Sequence, residues 1–187
     1  MNRDETTAKE KILHAAMELV SGGKTDRQIT MRQIALKAGV NLALVNYYYQ
    51  SKENLLSQVV GIMMGGLIEQ TTINTESDAL TRLRNMLLAT AEAAFKYRNI
   101  SKIAVSAELK SGCRNSCEMV IPLLKEILPD CDMSDISIIA LQLMIPFHHI
   151  VVDPEYFNDY LHTDFYNEDK MRQKINQMVD NILAGRI

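Results

Sequence analysis

With 187 residues, 47% of them hydrophobic and 6% aromatic, the chain carries enough apolar mass for a real core, which excludes a disordered tail as its main character. The net charge of −3 excludes a uniformly basic nucleic-acid coat. Glycine (8) and proline (4) are scarce, so helices are predicted in preference to strands and turns.

From Thr7 to Val20 the apolar residues Ile12, Ala15, Ala16, Leu19 and Val20 share one helical face, and Gly22-Gly23 ends that helix. A polar loop over 24–28 follows. Thr30 then offers an N-cap with Gln33 three residues later, a T-x-x-Q capping box. Behind it Ile34, Ala35 and Ala38 form a short apolar face, and Gly39 closes the helix. Only Gly39 and Val40 separate it from a new cap at Asn41. The third helix, Leu42 to Tyr48, is therefore short, and a tight turn fixes its direction. Ser51 caps a fourth helix with Glu53 in its first turn, where the macrodipole favours a carboxylate. The apolar face of this helix runs through Leu55, Leu56, Val59, Val60, Met63 and Leu67.

After a polar stretch at 71–78 a longer helix bears Leu80, Leu83, Leu87, Ala91, Ala94 and Phe95. Further helices are predicted near 101–111, 117–128 and 134–152, with a short segment around 155–162. A last helix from 168 to 184 carries Met171, Ile175, Met178, Val179 and Ile182 on one side. The most apolar run, Ile136 to Val152, spans 17 residues and is interrupted by Gln142, Pro146 and His148-His149. A membrane span takes roughly 20 apolar residues, so this run reads as a buried helix. Residues 1–7 are polar and show no signal-peptide pattern. The expectation is a soluble cytoplasmic protein without a membrane partner.

Charge is unevenly spread. Residues 1–56 carry eight Lys/Arg against six Asp/Glu, a balance of +2, and the remainder carries twelve against seventeen, a balance of −5. A mildly basic head on an acidic body fits a reader of phosphates coupled to something else.

Two short helices joined by a glycine turn form the pattern of a DNA-binding helix-turn-helix, here Ile29 to Leu56. Ala35, Gly39 and Val40 are small enough for the second helix to cross the third closely, and Val45 faces inward. Leu42, Ala43, Leu44, Asn46, Tyr47 and Tyr48 are left to face outward or to line the edges.

Over residues 8–56 the chain resembles the TetR family of bacterial regulators. The resemblance rests on Ile12-Leu13-x-Ala15-Ala16-x-x-Leu19, on Ile34-Ala35-x-x-Ala38-Gly39-Val40, on Tyr47, and on Ser51-Lys52-Glu53-x-Leu55-Leu56. Many members have Gly at Ala43, Tyr at Asn46, His at Tyr48 and Phe at Tyr49, although one branch carries Asn at the position of Asn46. Beyond about residue 60 the family has little sequence signature. The resemblance implies that Thr30 and Arg32 touch the DNA backbone or an adjacent base. It further implies that the hydroxyls of Tyr47 and Tyr48, and Lys52 with the amides opening the fourth helix, bind phosphates. Base reading falls to Leu42, Leu44 and Asn46, beside the cap Asn41. Asn pairs bidentately with adenine and an aliphatic side chain packs on a thymine methyl, so an A·T-containing half-site is expected.

Other constellations are weaker. Cys113-x-x-x-Cys117 has a spacing that a metal site permits, but no fourth ligand is evident, and with Cys131 these read as buried thiols. This odd, sparse set suits a reducing compartment. His148-His149 with Asp153 and Glu155 suggests a cation or polar-ligand site. Adjacent helical residues point about 100° apart, so one histidine at most faces it. Eleven methionines suit an ordinary core or an adaptable apolar pocket. Met86, Phe95, Phe147 and His148 are the candidate ligand-binding residues, chosen for bulk and helix position. No G-x-S-x-G, H-E-x-x-H, P-loop or G-x-G-x-x-G occurs, so no enzyme and no cofactor are expected. A helical adaptor binding only protein is the competing class, and weak salt dependence with any duplex would favour it.

The sequence thus predicts an all-α chain with a helix-turn-helix head over residues 1–50 and a helical effector-binding and dimerisation domain over 51–187. Its expected partners are double-stranded operator DNA, an unknown small-molecule effector and a second copy of itself. In the family the last two long helices pair with their symmetry mates, here 134–152 and 168–184.

Overall fold

The computed structural model describes residues 3–22, 27–72 and 77–186, and among them the chain forms ten helices and no strand. In chain order these are α1 (Arg3–Ser21), α2 (Met31–Ala38), α3 (Leu42–Tyr49), α4 (Lys52–Thr72), α5 (Ala79–Lys96), α6 (Arg98–Lys110), α7 (Arg114–Ile127), α8 (Met133–Val152), α9 (Pro154–Tyr160) and α10 (Glu168–Leu183). Residues 24–26 of the expected polar loop, residues 73–76 and the side chain of Leu67 lie outside the described residues. Two compact units result: Met1–Met64 with Tyr97–Ala104, and Gly65–Lys96 with Val105–Ile187.

The first unit is built on the predicted apolar faces. Ile12, Ala15, Ala16 and Val20 of α1 meet Ile34 and Ala35 of α2, Val45 and Tyr49 of α3, and Leu55, Leu56, Val59 and Val60 of α4, all buried in one cluster. Burying a Leu or Ile side chain contributes roughly 1.5–3 kcal/mol. Truncating Ile34 to Ala therefore costs about 2–5 kcal/mol once the cavity is included. The unit reaches past residue 50 because the first half of α4 belongs to this core, and α6 adds Ile100 to it.

In the second unit α5, α7, α8 and α10 pack on one another. Leu83 and Leu87, Val120 and Leu124, Ile136, Ile139 and Leu143, and Met171, Ile175, Val179 and Leu183 close its core. Helix α8 begins before the apolar run because Asp132 caps it, accepting from the Asp135 N–H at 2.9 Å. Its 20 residues are long and apolar enough to cross a membrane by composition, yet half of the span is buried inside the protein. Pro122 and Pro146 lie inside α7 and α8 without ending them.

The two helices expected to offer apolar faces to a partner differ. Met171, Ile175 and Val179 of α10 are buried in the core of their own unit, leaving Arg172, Gln173, Gln177 and Asn181 exposed. Helix α8 keeps an outward apolar row in addition to its core face, with Ile138 50% and Leu141 and Ile145 each 38% exposed.

Candidate nucleic-acid interface

The α2–turn–α3 segment is fixed at both joints by side-chain caps. Thr30 is extended (φ −121°) and its hydroxyl accepts from the Gln33 N–H at 3.2 Å, while the Gln33 side-chain Oε1 accepts from the Thr30 N–H at 3.1 Å. This completes the capping box and settles two orphan donors of the helix end. Gly39 is left-handed (φ 66°), a conformation that costs a Cβ-bearing residue, and the Val40 N–H returns to the Ala35 carbonyl at 3.0 Å. Asn41 then caps α3, its Oδ1 accepting from the Ala43 N–H at 2.8 Å. Ser51 does the same for α4, accepting from the Asn54 N–H at 3.0 Å.

These joints aim one face of α3 outward. Val45 and Tyr49 are buried one turn apart. The Tyr49 hydroxyl also donates to the Lys9 carbonyl of α1 at 3.1 Å. The opposite positions Ala43, Asn46 and Tyr47 are exposed, at the i, i+3, i+4 spacing of a single helical stripe, and the exposed Gln50 ends the helix just beyond them with φ 60°. Tyr47 is 73% exposed, and its ring meets that of Tyr48 edge-on with centroids 5.3 Å apart.

The other sequence-predicted contacts take distinct places. Thr30, Arg32 and Asn41 are exposed at the openings of α2 and α3. Leu42, Leu44 and Tyr48 are half-buried on the flanks of the stripe, and Leu42 and Tyr48 pack against the core of the unit. Lys52 is half-buried at the start of α4. Lys37 is engaged elsewhere, in a 2.6 Å ion pair with Glu18 that ties α2 to α1. One member of the outward stripe, Ala43, was not singled out as a base reader from the sequence. Counting back three and four residues from Asn46 and Tyr47 reaches Ala43.

In the second unit the predicted ligand residues are largely core. Met86, Phe147 and His148 are buried, and Phe95 is half-buried with its ring 5.8 Å from that of Tyr166. The partners of His148 are neither Asp153 nor Glu155. Its Nδ1 lies 3.4 Å from Cys113 Sγ and its Nε2 lies 3.3 Å from Ser116 Oγ. Burial pushes the imidazole down to about 4, against the pull of the nearby Glu108 carboxylate. Glu108 accepts from the Ser116 N–H at 3.0 Å and the Asn115 side-chain amide at 2.9 Å. Burial raises its carboxyl, but these hydrogen bonds outweigh it and hold the group below the usual range. Burial also raises the thiols of Cys113 and Cys117. His149 is exposed, so the two histidines do face different ways. Among the described residues no group of three His, Cys, Asp or Glu side chains is arranged to hold a metal, and all three cysteines are free thiols.

Residues 12–59 match the family model described as "Bacterial regulatory proteins, tetR family". A TetR transcriptional regulator from Rhodococcus sp. RHA1 shares the fold with a TM-score of 0.69 at 15% identity, covering 98% of each chain. A second, TetR-like transcriptional regulator from Rhodococcus sp. RHA1 aligns with a TM-score of 0.56 at 17% identity, over 95% of this chain and 96% of that one. No curated protein matches the chain.

Proposed function

The chain belongs, through residues 12–59, to the tetR family of bacterial regulatory proteins, and on that premise we propose that it is a homodimeric repressor of double-stranded operator DNA, released by a small-molecule effector. The observation that carries this reading is the outward stripe of α3, held by caps at both ends of its turn. Asn46 at the centre of the stripe pairs with adenine in the major groove, and Leu44 on its flank packs on a thymine methyl. The Tyr47 and Tyr48 hydroxyls donate to phosphates, Lys52 adds a charge-assisted contact, and Thr30 and Arg32 hold the backbone beside the groove. Asn41 acts through its cap, since its Oδ1 is already committed to the Ala43 N–H.

Two heads reach successive major grooves when they stand about 34–36 Å apart, which requires a dimer of defined spacing. The exposed row Ile138, Leu141 and Ile145 on α8 supports that role. The effector acts by favouring a form whose heads are mis-spaced, and its differential affinity for the two forms sets how much DNA is released. Helix α4 supports a lever, because the boundary between the compact units falls within it, after Met64. Met86, Phe95, Phe147 and His148 serve as an effector site only in a conformation that opens the core they occupy.

Selection of binding fragments from genomic DNA, starting with the region upstream of the protein's own gene, tests the reading. It predicts a roughly palindromic site with A·T pairs in each half. Recovery of no site from the whole genome would contradict it.

A further inference from the structure

Helix α9 turns two adjacent rows of side chains to solvent. Glu155 and Asp159 lie one turn apart and form a carboxylate row, and Tyr156 and Tyr160 form an aromatic row about 100° around the helix from it. Tyr156 is 58% and Tyr160 67% exposed, and their rings lie parallel, 6° between planes, with centroids 6.0 Å apart. A third exposed ring, Tyr166, joins the carboxylate row, since its hydroxyl donates to Glu155 Oε1 at 2.7 Å. The platform beneath is fixed. Pro154 opens the helix, Phe157 packs against the core of the second unit, and Asn158 Oδ1 accepts from the N–H of the buried Phe165 at 2.7 Å.

Neither row serves the core. Like charges at i and i+4 repel, and two exposed tyrosine rings bury little apolar area. Clustered exposed aromatics mark contact surfaces, whose strongest positions are Trp, Tyr and Arg. Charge selects the partner. Residues 126–169 hold ten Asp/Glu and no Lys or Arg, and six of the ten lie within 153–169. A second copy presenting the same face would set carboxylates against carboxylates, which disfavours a symmetric contact here. An arginine fits both rows at once: its guanidinium stacks flat on a tyrosine ring while its N–H groups donate to the neighbouring carboxylate. The compact, strongly hydrated ammonium of lysine does this less well. One exposed guanidinium contributes little, so the fit is to several arginines in one chain.

We propose that the outer face of α9, with Glu155, Tyr156, Asp159 and Tyr160, is a docking surface for an arginine-rich segment of a partner protein. The tyrosine row supplies the preference for arginine, and the carboxylate row supplies attraction to any cation. This inference does not rest on the DNA-binding reading, since α9 and the α3 stripe belong to different compact units.

The test is fluorescence anisotropy of the full-length protein with a fluorescein-labelled peptide of alternating arginine and glycine, and with its lysine counterpart of equal charge. The arginine peptide should bind several-fold more tightly. Tyr156→Ala with Tyr160→Ala should weaken it by about tenfold and abolish its advantage over lysine, whereas Tyr156→Phe with Tyr160→Phe should retain both. Asp159→Asn should weaken the two peptides alike. Asp135→Asn, in the first turn of α8 and about 25 Å away along that helix, should change neither. Equal binding of the two peptides by wild type, or an arginine affinity indifferent to the loss of both rings, would overturn the proposal. So would sedimentation showing that loss of both rings changes the oligomeric state, because the face would then join copies of this chain.

Discussion

The Tyr49 hydroxyl donates to the Lys9 carbonyl at 3.1 Å, joining α3 to α1 across forty residues of sequence. The bond is partly buried and lies behind the outward stripe of α3, so it holds that helix from the rear. Tyr49→Phe keeps the ring and removes the donor, and is expected to lower stability by about 1 kcal/mol in urea unfolding. Tyr49→Ala adds a cavity and should cost about 3–5 kcal/mol. Burial also raises the Tyr49 phenol above its ordinary value of 10.0. Its contribution is therefore intact below about pH 10 and lost as pH rises further. Equal stability of Tyr49→Phe and wild type would remove the hydroxyl from the account.

His148 links stability to acid. Its imidazole is lowered from 6.5 to about 4 in the folded chain, chiefly by burial. Because the unfolded chain binds the proton more readily, this stabilisation is complete above pH 6.5 and is lost as pH falls through 4. The full swing is about 3 kcal/mol. Urea midpoints taken at pH 7 and pH 4.5 should therefore separate for wild type more than for His148→Gln. Parallel behaviour of the two proteins would mean that the histidine is not held neutral.

The head was legible because its signals are local. Thr30 with Gln33, Gly39, and Asn41 each act within four residues, so the order of letters carries the geometry. The edges of the body were less so. Helix α7 opens at Arg114, earlier than the periodicity implied, because a left-handed Cys113 starts it. The apolar side of α10 was visible as a pattern. Whether its partner was the same chain or another depended on packing that no single helix encodes. The Cys113–His148 and Ser116–His148 contacts span 35 and 32 residues, and only the tertiary fold brings them together.

Position on α3 separates reading from packing. Asn46 is exposed, whereas Leu42 is half-buried against the core. Asn46→Ala should leave stability within about 0.5 kcal/mol. It should cost about 1–3 kcal/mol of discrimination at one A·T pair. Leu42→Ala should instead lower the unfolding free energy measured in urea, by about 1 kcal/mol. Unfolding curves and binding to single-base-pair variants of the selected site distinguish the two, and a reversed pattern would relocate the reading face.

The α8 row bears on assembly. Ile138→Glu with Leu141→Glu places two charges on the exposed apolar row and leaves the core residues Ile139 and Leu143 in place. Sedimentation should show a dimer for wild type and a folded monomer for the double variant. A dimer that survives both charges would assign the interface to another surface.

Lys52 should act through charge alone. Lys52→Ala is expected to weaken binding uniformly across duplex sequences and to reduce the slope of log affinity against log salt by about 1. A change in sequence preference with an unaltered slope would take Lys52 off the phosphate backbone.

The most direct test is fluorescence anisotropy of wild type and Tyr47→Ala on the selected duplex and on a scrambled one, at two salt concentrations. Tyr47 is exposed at the centre of the outward stripe, so its substitution should leave folding intact. Wild type is predicted to prefer the selected duplex, to weaken steeply with salt, and to lose about tenfold in affinity on Tyr47→Ala. Equal affinity for both duplexes, or selective binding that the substitution does not touch, would contradict the placement of the recognition surface on α3.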